Sequence, residues 1–425
     1  MAPSERPASK PSPAPRGHAI SRGRKIFAAA ITFTIVPLVG FLALEMIFVL
    51  FVPVTDVAWT FWDPLTGIRR HPDQAGRYIK DAIDAPYRFN AQGWNHPEDY
   101  VLAKPEGTVR VCMVGDSMVE AKQVDPNLSM ILKAQELMTR PERPAQWYGF
   151  GMAGWGTTQE HQAIRHYVLD YAPDLVVLMF VQNDPADCSP YITKIERYEP
   201  KFTLAPDGSL TQELPRYKPP AWRGRLAFKS SLIRYFFAQK GVWARLGGAT
   251  RQGIGDVPLR EGAGDVSEEE SGPRAAGRLE REEKTWRLLE AILAATRDEV
   301  RRRGATFAIV FRGHYKELDQ AAEGGSYAAP PKEADPYCLH QRLDEMGREF
   351  VEPMARRLGI PYLDLTGPLM ELVTRTHVSF RFPDDNHYNA AAHEVVGREL
   401  AAWAESLLAE RAVPVPAPPA AEDGI

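Results

Sequence analysis

From residue 109 onward, short apolar runs bounded by turn residues alternate with longer segments whose apolar positions recur every three or four residues. The runs at 109–114, 146–150 and 175–181 predict strands, and 126–139 and 157–169 predict helices between and beside them. The alternation stops for about 100 residues and resumes with helices expected at 279–303, 341–358 and 390–408 and strands at 305–311 and 361–365. Near-continuous apolar strands separated by helices imply a parallel sheet covered on both faces. In the last helix Val396, Leu400, Trp403 and Leu407 fall on one face, as a sheet-covering helix requires.

One stretch breaks this pattern. Between Ile26 and Leu44 there is no charged residue, and apolar character continues past Glu45 to Val54. As a helix, these residues would span about 28 Å, enough for a hydrocarbon layer. A transmembrane helix at 26–54 is therefore expected; a cleaved signal peptide is the competing reading, but no small-x-small cleavage site stands out. The basic residues Arg22, Arg24 and Lys25 precede the helix, which places residues 1–25 in the cytoplasm as a basic, disordered tail and everything after the helix outside it, in the periplasm if the source is a Gram-negative bacterium.

Composition refines the organisation. Residues 1–20 and 412–425 are rich in proline and alanine and too poor in large apolar side chains to pack. A membrane-proximal lead-in covers 55–107, and a catalytic domain covers 108–411, with a cap insertion and a flexible loop at about 188–278. Within that interruption, 247–274 holds seven glycines and no aromatic residue, whereas 188–246 is dense in aromatics. Such a density suits a wall for sugar rings or acyl chains, and equally the core of a cap. The basic and apolar mixture at 221–245 suits either an interfacial helix or packing on the domain.

The formal net charge of −4 carries no nucleic-acid footprint. Three scattered cysteines, Cys112, Cys188 and Cys338, form no zinc motif. Cys188 and Cys338 both follow expected sheet edges and could pair in an oxidising compartment.

Candidate chemistry sits at the carboxyl ends of the expected strands, where ligands bind in open α/β sheets. The first strand runs into Gly115-Asp116-Ser117, a pattern that also suits a simple helix cap. Immediately before the last helix lies Pro383-Asp384-Asp385-Asn386-His387. A serine hydroxyl, an imidazole that takes its proton and a carboxylate that orients the imidazole are the parts of a nucleophilic acyl-transfer site. Arg312 and His314 follow the strand at 305–311 and could meet an anionic or sugar substrate, or be an ordinary loop pair. His393, inside the last helix, suits packing or solvation better than base catalysis.

Four blocks in order resemble the SGNH/GDSL hydrolase superfamily: Gly115-Asp116-Ser117, the glycine block around Gly154, Asn183 after the third strand, and Asp384-x-x-His387. Met118 stands where the signature often has leucine, and Val181 and Gln182 stand where a glycine usually precedes the asparagine. The resemblance covers roughly 88–408 apart from the interruption. It implies a three-layer α/β/α, flavodoxin-like domain with a five-stranded parallel sheet. Its implied nucleophile, orienting acid and base are Ser117, Asp384 and His387, with an oxyanion hole from the Ser117 and Gly154 N–H groups and the Asn183 amide. It implies a serine esterase for acyl esters that needs neither cofactor nor metal. Location outside the membrane suggests O-acyl groups on envelope or extracellular glycans, or lipids, as substrate. An O-acyltransferase modifying polysaccharide, a lipid esterase or thioesterase, and a catalytically silent glycan-binding or assembly protein are the alternatives.

Overall fold

The computed structural model describes residues 21–192, 199–217, 228–240, 242, 273–325, 346–383 and 385–412. The chain divides into two compact units, 1–53 and 54–425. In the first, α1 (Arg22–Phe51) is a single helix of 30 residues started by Ser21, whose hydroxyl accepts from the Arg24 N–H at 3.4 Å. It is long and apolar enough to cross a membrane, a property it shares with signal sequences.

The second unit is built on a five-stranded parallel sheet. Four two-residue to seven-residue strands precede it in the chain: β1 (Thr60–Phe61), β2 (Arg69–Arg70), β3 (Gln74–Lys80) and β4 (Ile83–Phe89). The sheet itself contains β5 (Val109–Gly115), β6 (Ala145–Gly151), β7 (Leu175–Phe180), β10 (Thr306–Phe311) and β11 (Tyr362–Asp364). A small hairpin of β8 (Lys201–Leu204) and β9 (Leu210–Glu213) lies between them in sequence. The spatial order β11-β10-β7-β5-β6 changes direction next to β5, the flavodoxin-like arrangement expected of an SGNH domain. All six residues of β7 are buried, which is why its sequence, Leu-Val-Val-Leu-Met-Phe, is apolar without alternation.

Helices cover both faces. On one, α3 (Met130–Met138), α9 (Thr366–Thr376) and α10 (Ala390–Ala412) bury Met130, Leu369, Val396 and Leu400 against Val111, Met113 and Val177. On the other, α4 (Thr157–Ala163), α6 (Pro273–Arg302) and α8 (Glu352–Arg357) pack Ala163, Leu289, Leu293 and Met354 against Val114, Leu178 and Ile309. Three short helices sit at the productive edge: α2 (Ser117–Glu120), α5 (Asp184–Cys188) and α7 (Tyr315–Ala322).

The lead-in is part of this body. β3 and β4 form an antiparallel hairpin in full register from Gln74↔Phe89 to Lys80↔Ile83. Trp94 and Tyr100 belong to the core on the α4 face, and the Tyr100 hydroxyl donates to the Gly149 carbonyl at 2.8 Å. Arg70 of β2 reaches into α2: its Nε–H and Nη2–H donate to Glu120 Oε1 and Oε2 at 2.6 and 2.9 Å, and both side chains are almost wholly buried.

Of the insertion, Phe202 is buried against Leu288 and Ile292 of α6, with Tyr191 packed beside it. The described part of 221–245 packs on the domain: Arg234 pairs with Asp56, and Gln239 Oε1 accepts from the Thr55 N–H at 3.0 Å. Cys188 is a buried free thiol, as is Cys112, whereas Cys338 lies outside the described residues.

Candidate active site

The site begins where β5 ends. Asp116 leaves the strand with φ −86° and ψ −140° and caps α2, its Oδ1 accepting from the Met118 N–H at 2.8 Å. Ser117 is thereby the first residue of α2, half-buried at the carboxyl edge of the sheet. This turn needs close packing behind it. At Gly151, the last residue of β6, an added Cβ would stand 2.0 Å from the Glu120 backbone nitrogen, so only glycine lets the strand end pass beneath α2.

The imidazole arrives from the loop before α10. His387 Nε2 lies 2.8 Å from Ser117 Oγ, across 270 residues of sequence. Its Nδ1 is hydrogen-bonded to Asp385 Oδ1, which also accepts from the His387 backbone N–H at 3.0 Å. The loop is fixed from both sides. The Tyr315 hydroxyl donates to the Asn386 carbonyl at 2.9 Å, the Tyr388 hydroxyl donates to the Arg312 carbonyl, and Arg381 holds Asp319 with a two-pronged bond at 3.0 and 2.9 Å.

The acid on the imidazole is thus Asp385. Asp384, the acid implied by the family spacing, lies outside the described residues. Burial works against the charge on Asp385, but the bond to His387, the His387 charge and the nearby Lys80 ammonium outweigh it and hold the carboxyl at about 2. Lys80 Nζ lies 3.2 Å from Asp385 Oδ2. The carboxylate therefore meets the imidazole with one oxygen and an ammonium with the other.

Gly154 occupies the left-handed region with φ +81°. Among the described residues neither its N–H nor that of Ser117 has an acceptor within the protein. Asn183 follows β7, and its amide donates to Asp187 Oδ2 at 2.7 Å. Burial raises the Asp116 carboxyl above its ordinary range, opposed by the Met118 N–H and by the charges of His387 and Arg312.

Gln182, in the position where a glycine is usual, has a partner for each end of its amide. Its Oε1 accepts from Arg312 Nε and its Nε2 donates to the Gly313 carbonyl at 3.4 Å. Arg312 also lies with its guanidinium carbon 3.9 Å over the Tyr315 ring. His314 is fully buried with Nε2 3.3 Å from Asp364 Oδ2, a place in the fold rather than on a substrate surface. His393 is buried, its Nδ1 accepting from the Met130 N–H at 3.2 Å, and burial lowers it to about 3, so it packs as a neutral ring.

Two features had no signal in the sequence pattern. The first is Lys80, more than 300 positions from the carboxylate it meets. The second lies under the site: Glu160 of α4 and Asp184 of α5 are both fully buried, and among the described residues neither oxygen of Glu160 has a partner. Burial first, and then the neighbouring carboxylates, push both well above the ordinary range.

A hydroxyl hydrogen-bonded to Nε2, with a buried carboxylate on Nδ1, lets the imidazole accept the hydroxyl proton while its own cation is stabilised in place. No group of three or more potential metal ligands occurs among the described residues.

No family model matches this chain, and no curated protein matches it. Solved structures similar to it include TesA, at 11% identity with 70% of this chain and 99% of that one covered and a TM-score of 0.35. They also include a catalytic mutant of Axe2, an acetylxylan esterase from Geobacillus stearothermophilus, at 12% identity with 68% and 91% covered and a TM-score of 0.35. A third is a lipolytic protein of the G-D-S-L family from Desulfitobacterium hafniense, at 10% identity with 69% and 98% covered and a TM-score of 0.34.

Proposed function

We propose that this chain is a serine ester hydrolase of the SGNH kind, in which Ser117 attacks an acyl carbonyl, His387 takes the hydroxyl proton and returns it to the leaving alcohol, and Asp385 orients the imidazole. The observation that carries this reading is the 2.8 Å contact between Ser117 Oγ and His387 Nε2, backed by the Asp385 carboxylate on Nδ1. The developing oxyanion would take the Ser117 and Gly154 N–H groups, which have no protein acceptor among the described residues, and the Asn183 amide once it turns one N–H from Asp187. Attack gives an acyl-enzyme and frees the alcohol; water, activated by the same imidazole, then releases the acid and restores Ser117.

The basic residues Arg22, Arg24 and Lys25 at the start of α1, ahead of its apolar stretch, favour a cytoplasmic N-terminus and an extracytoplasmic site, and hence O-acylated envelope glycans as the substrate class. The full chain in detergent micelles, offered p-nitrophenyl acetate, p-nitrophenyl octanoate and an O-acetylated oligosaccharide, should hydrolyse esters, with the acetylated glycan preferred. Ser117→Ala should lose turnover and labelling by a fluorophosphonate probe together. Equal labelling of wild type and Ser117→Ala, or full turnover in His387→Ala, would sink the reading.

A further inference from the structure

The hairpin of β3 and β4 lies outside the five-stranded sheet and begins 23 residues after the end of α1 in the chain, yet its turn meets the loop that carries Asp385 and His387. Its turn carries Lys80, whose ammonium sits 3.2 Å from Asp385 Oδ2. The Lys80 side chain is about a quarter exposed and that of Asp385 only 4%, so the contact is sheltered on the carboxylate side. Four residues of the same hairpin turn, Lys80 to Ile83, line a cleft with Phe382 and Asp385. A carboxylate hydrogen-bonded through one oxygen alone can rotate about its Cβ–Cγ bond; a cation on the second oxygen fixes that rotation.

We infer that Lys80 is a positioning residue of the active site, holding the second oxygen of Asp385 so that the first stays on His387 Nδ1. The inference rests on the functional reading above and adds that the β3–β4 hairpin completes the catalytic array. Lys80 has a second effect, through charge. Its ammonium opposes a proton on the imidazole, while Asp385 favours one. The other charged and titratable groups facing the pair are Asp81 in the hairpin turn, Asp116 beside the nucleophile, Arg312 after β10, Arg381 in the loop itself and His393 in α10. None of these changes when Lys80 is replaced.

The test compares Lys80→Met and Lys80→Arg with wild type, all as the full chain in detergent, with melting temperature recorded for each. Lys80→Met should lower kcat about 10- to 100-fold with KM little changed, as for loss of a hydrogen bond to a charged group. The acidic limb of its kcat/KM profile should move to higher pH, because the protonated imidazole is no longer opposed by the ammonium. Lys80→Arg should restore most of kcat and the wild-type profile. A Lys80→Met enzyme with wild-type kcat and an unmoved acidic limb overturns the inference, and so does an equal fall in both variants with no movement of the limb. The low-field proton resonance of the His387 Nδ1–H gives a readout that does not depend on ester turnover. It should shift in Lys80→Met and stay in Lys80→Arg, even if Ser117→Ala retains activity and the esterase reading fails; an unchanged resonance in Lys80→Met overturns the positioning role by itself.

Discussion

Arg70 and Glu120 meet in a two-pronged ion pair, Nε to Oε1 at 2.6 Å and Nη2 to Oε2 at 2.9 Å, with about 2% and 1% of their side chains exposed. Glu120 is the last residue of the helix that Ser117 begins, and its carbonyl also accepts from Asn95 Nδ2 at 2.8 Å. The lead-in therefore grips α2 by both a side chain and the backbone. Removing one member of a buried pair leaves the other charge unpaired, which costs more than the pair itself contributes. Arg70→Met should destabilise the second unit by about 3–5 kcal/mol, seen as a lowered midpoint in denaturant unfolding. A midpoint within about 0.5 kcal/mol of wild type would mean that Glu120 finds another partner.

Two adjacent carboxylates precede His387, and one substitution at each separates them. Asp385→Asn should lower kcat by about 10³- to 10⁴-fold, because an amide on Nδ1 can select the wrong imidazole tautomer. Asp384→Asn should stay within about threefold of wild type. The reverse order of losses would return the orienting role to Asp384.

Asn183 is expected to act on the transition state and not on substrate affinity. Asn183→Ala should cut kcat by roughly 10²- to 10³-fold while KM stays near the wild-type value. Its amide is held by Asp187 in this structure, so Asp187→Ala should leave more activity than Asn183→Ala does. Equal losses in the two would point to a structural part for the whole turn.

Glu160 gives a pH-dependent prediction. Its carboxyl is raised by burial and by Asp184, so the folded chain holds a proton that the unfolded chain releases above the usual carboxylate range. Stability is therefore favoured below that range and declines as pH rises through it toward the raised folded value. Glu160→Gln has no proton to release there. Its melting temperature should exceed that of wild type at about pH 8, and the difference should shrink at about pH 4. A variant that melts lower than wild type at both pH values would refute a neutral Glu160.

The parallel sheet was legible because its strands are buried on both faces: 109–114, 146–150 and 175–181 each fall within an observed strand or one residue beyond it. Helices at 390–408 and 279–303 were legible from period and length; the first runs on to Ala412, and the second begins earlier, at Pro273, and ends at Arg302. The β3–β4 hairpin was not. Its strands, Gln-Ala-Gly-Arg-Tyr-Ile-Lys and Ile-Asp-Ala-Pro-Tyr-Arg-Phe, carry polar residues throughout, and Pro86 pairs with Arg77 where a proline normally argues against a strand. The helix at Thr366–Thr376 was also missed, since Gly367 and Pro368 in its first turn read as a turn.

In the site, Ser117 and His387 stand out as candidates because each sits at a strand end or ahead of a helix start with the right chemistry, and the structure brings them to 2.8 Å. The choice between Asp384 and Asp385 could not be made from spacing, because a backbone N–H bond from His387 to Asp385 curls the loop so that the nearer carboxylate reaches Nδ1. Lys80 and Arg70 were invisible for a different reason. Ordinary surface-type residues gain their roles only from partners brought close by the tertiary fold.

The distances along the chain that separate these partners set a timetable. Ser117 and His387 are 270 positions apart, and Lys80 and Asp385 are 305 apart. Ribosomes deliver residues in order, and non-local pairings wait for the later partner. A chain with its whole sheet complete through Asp364 would still lack Asp385 and His387. Such a nascent polypeptide can complete its sheet while Ser117 and Lys80 still wait for their partners, and it gains those contacts only once residues 385–387 have emerged.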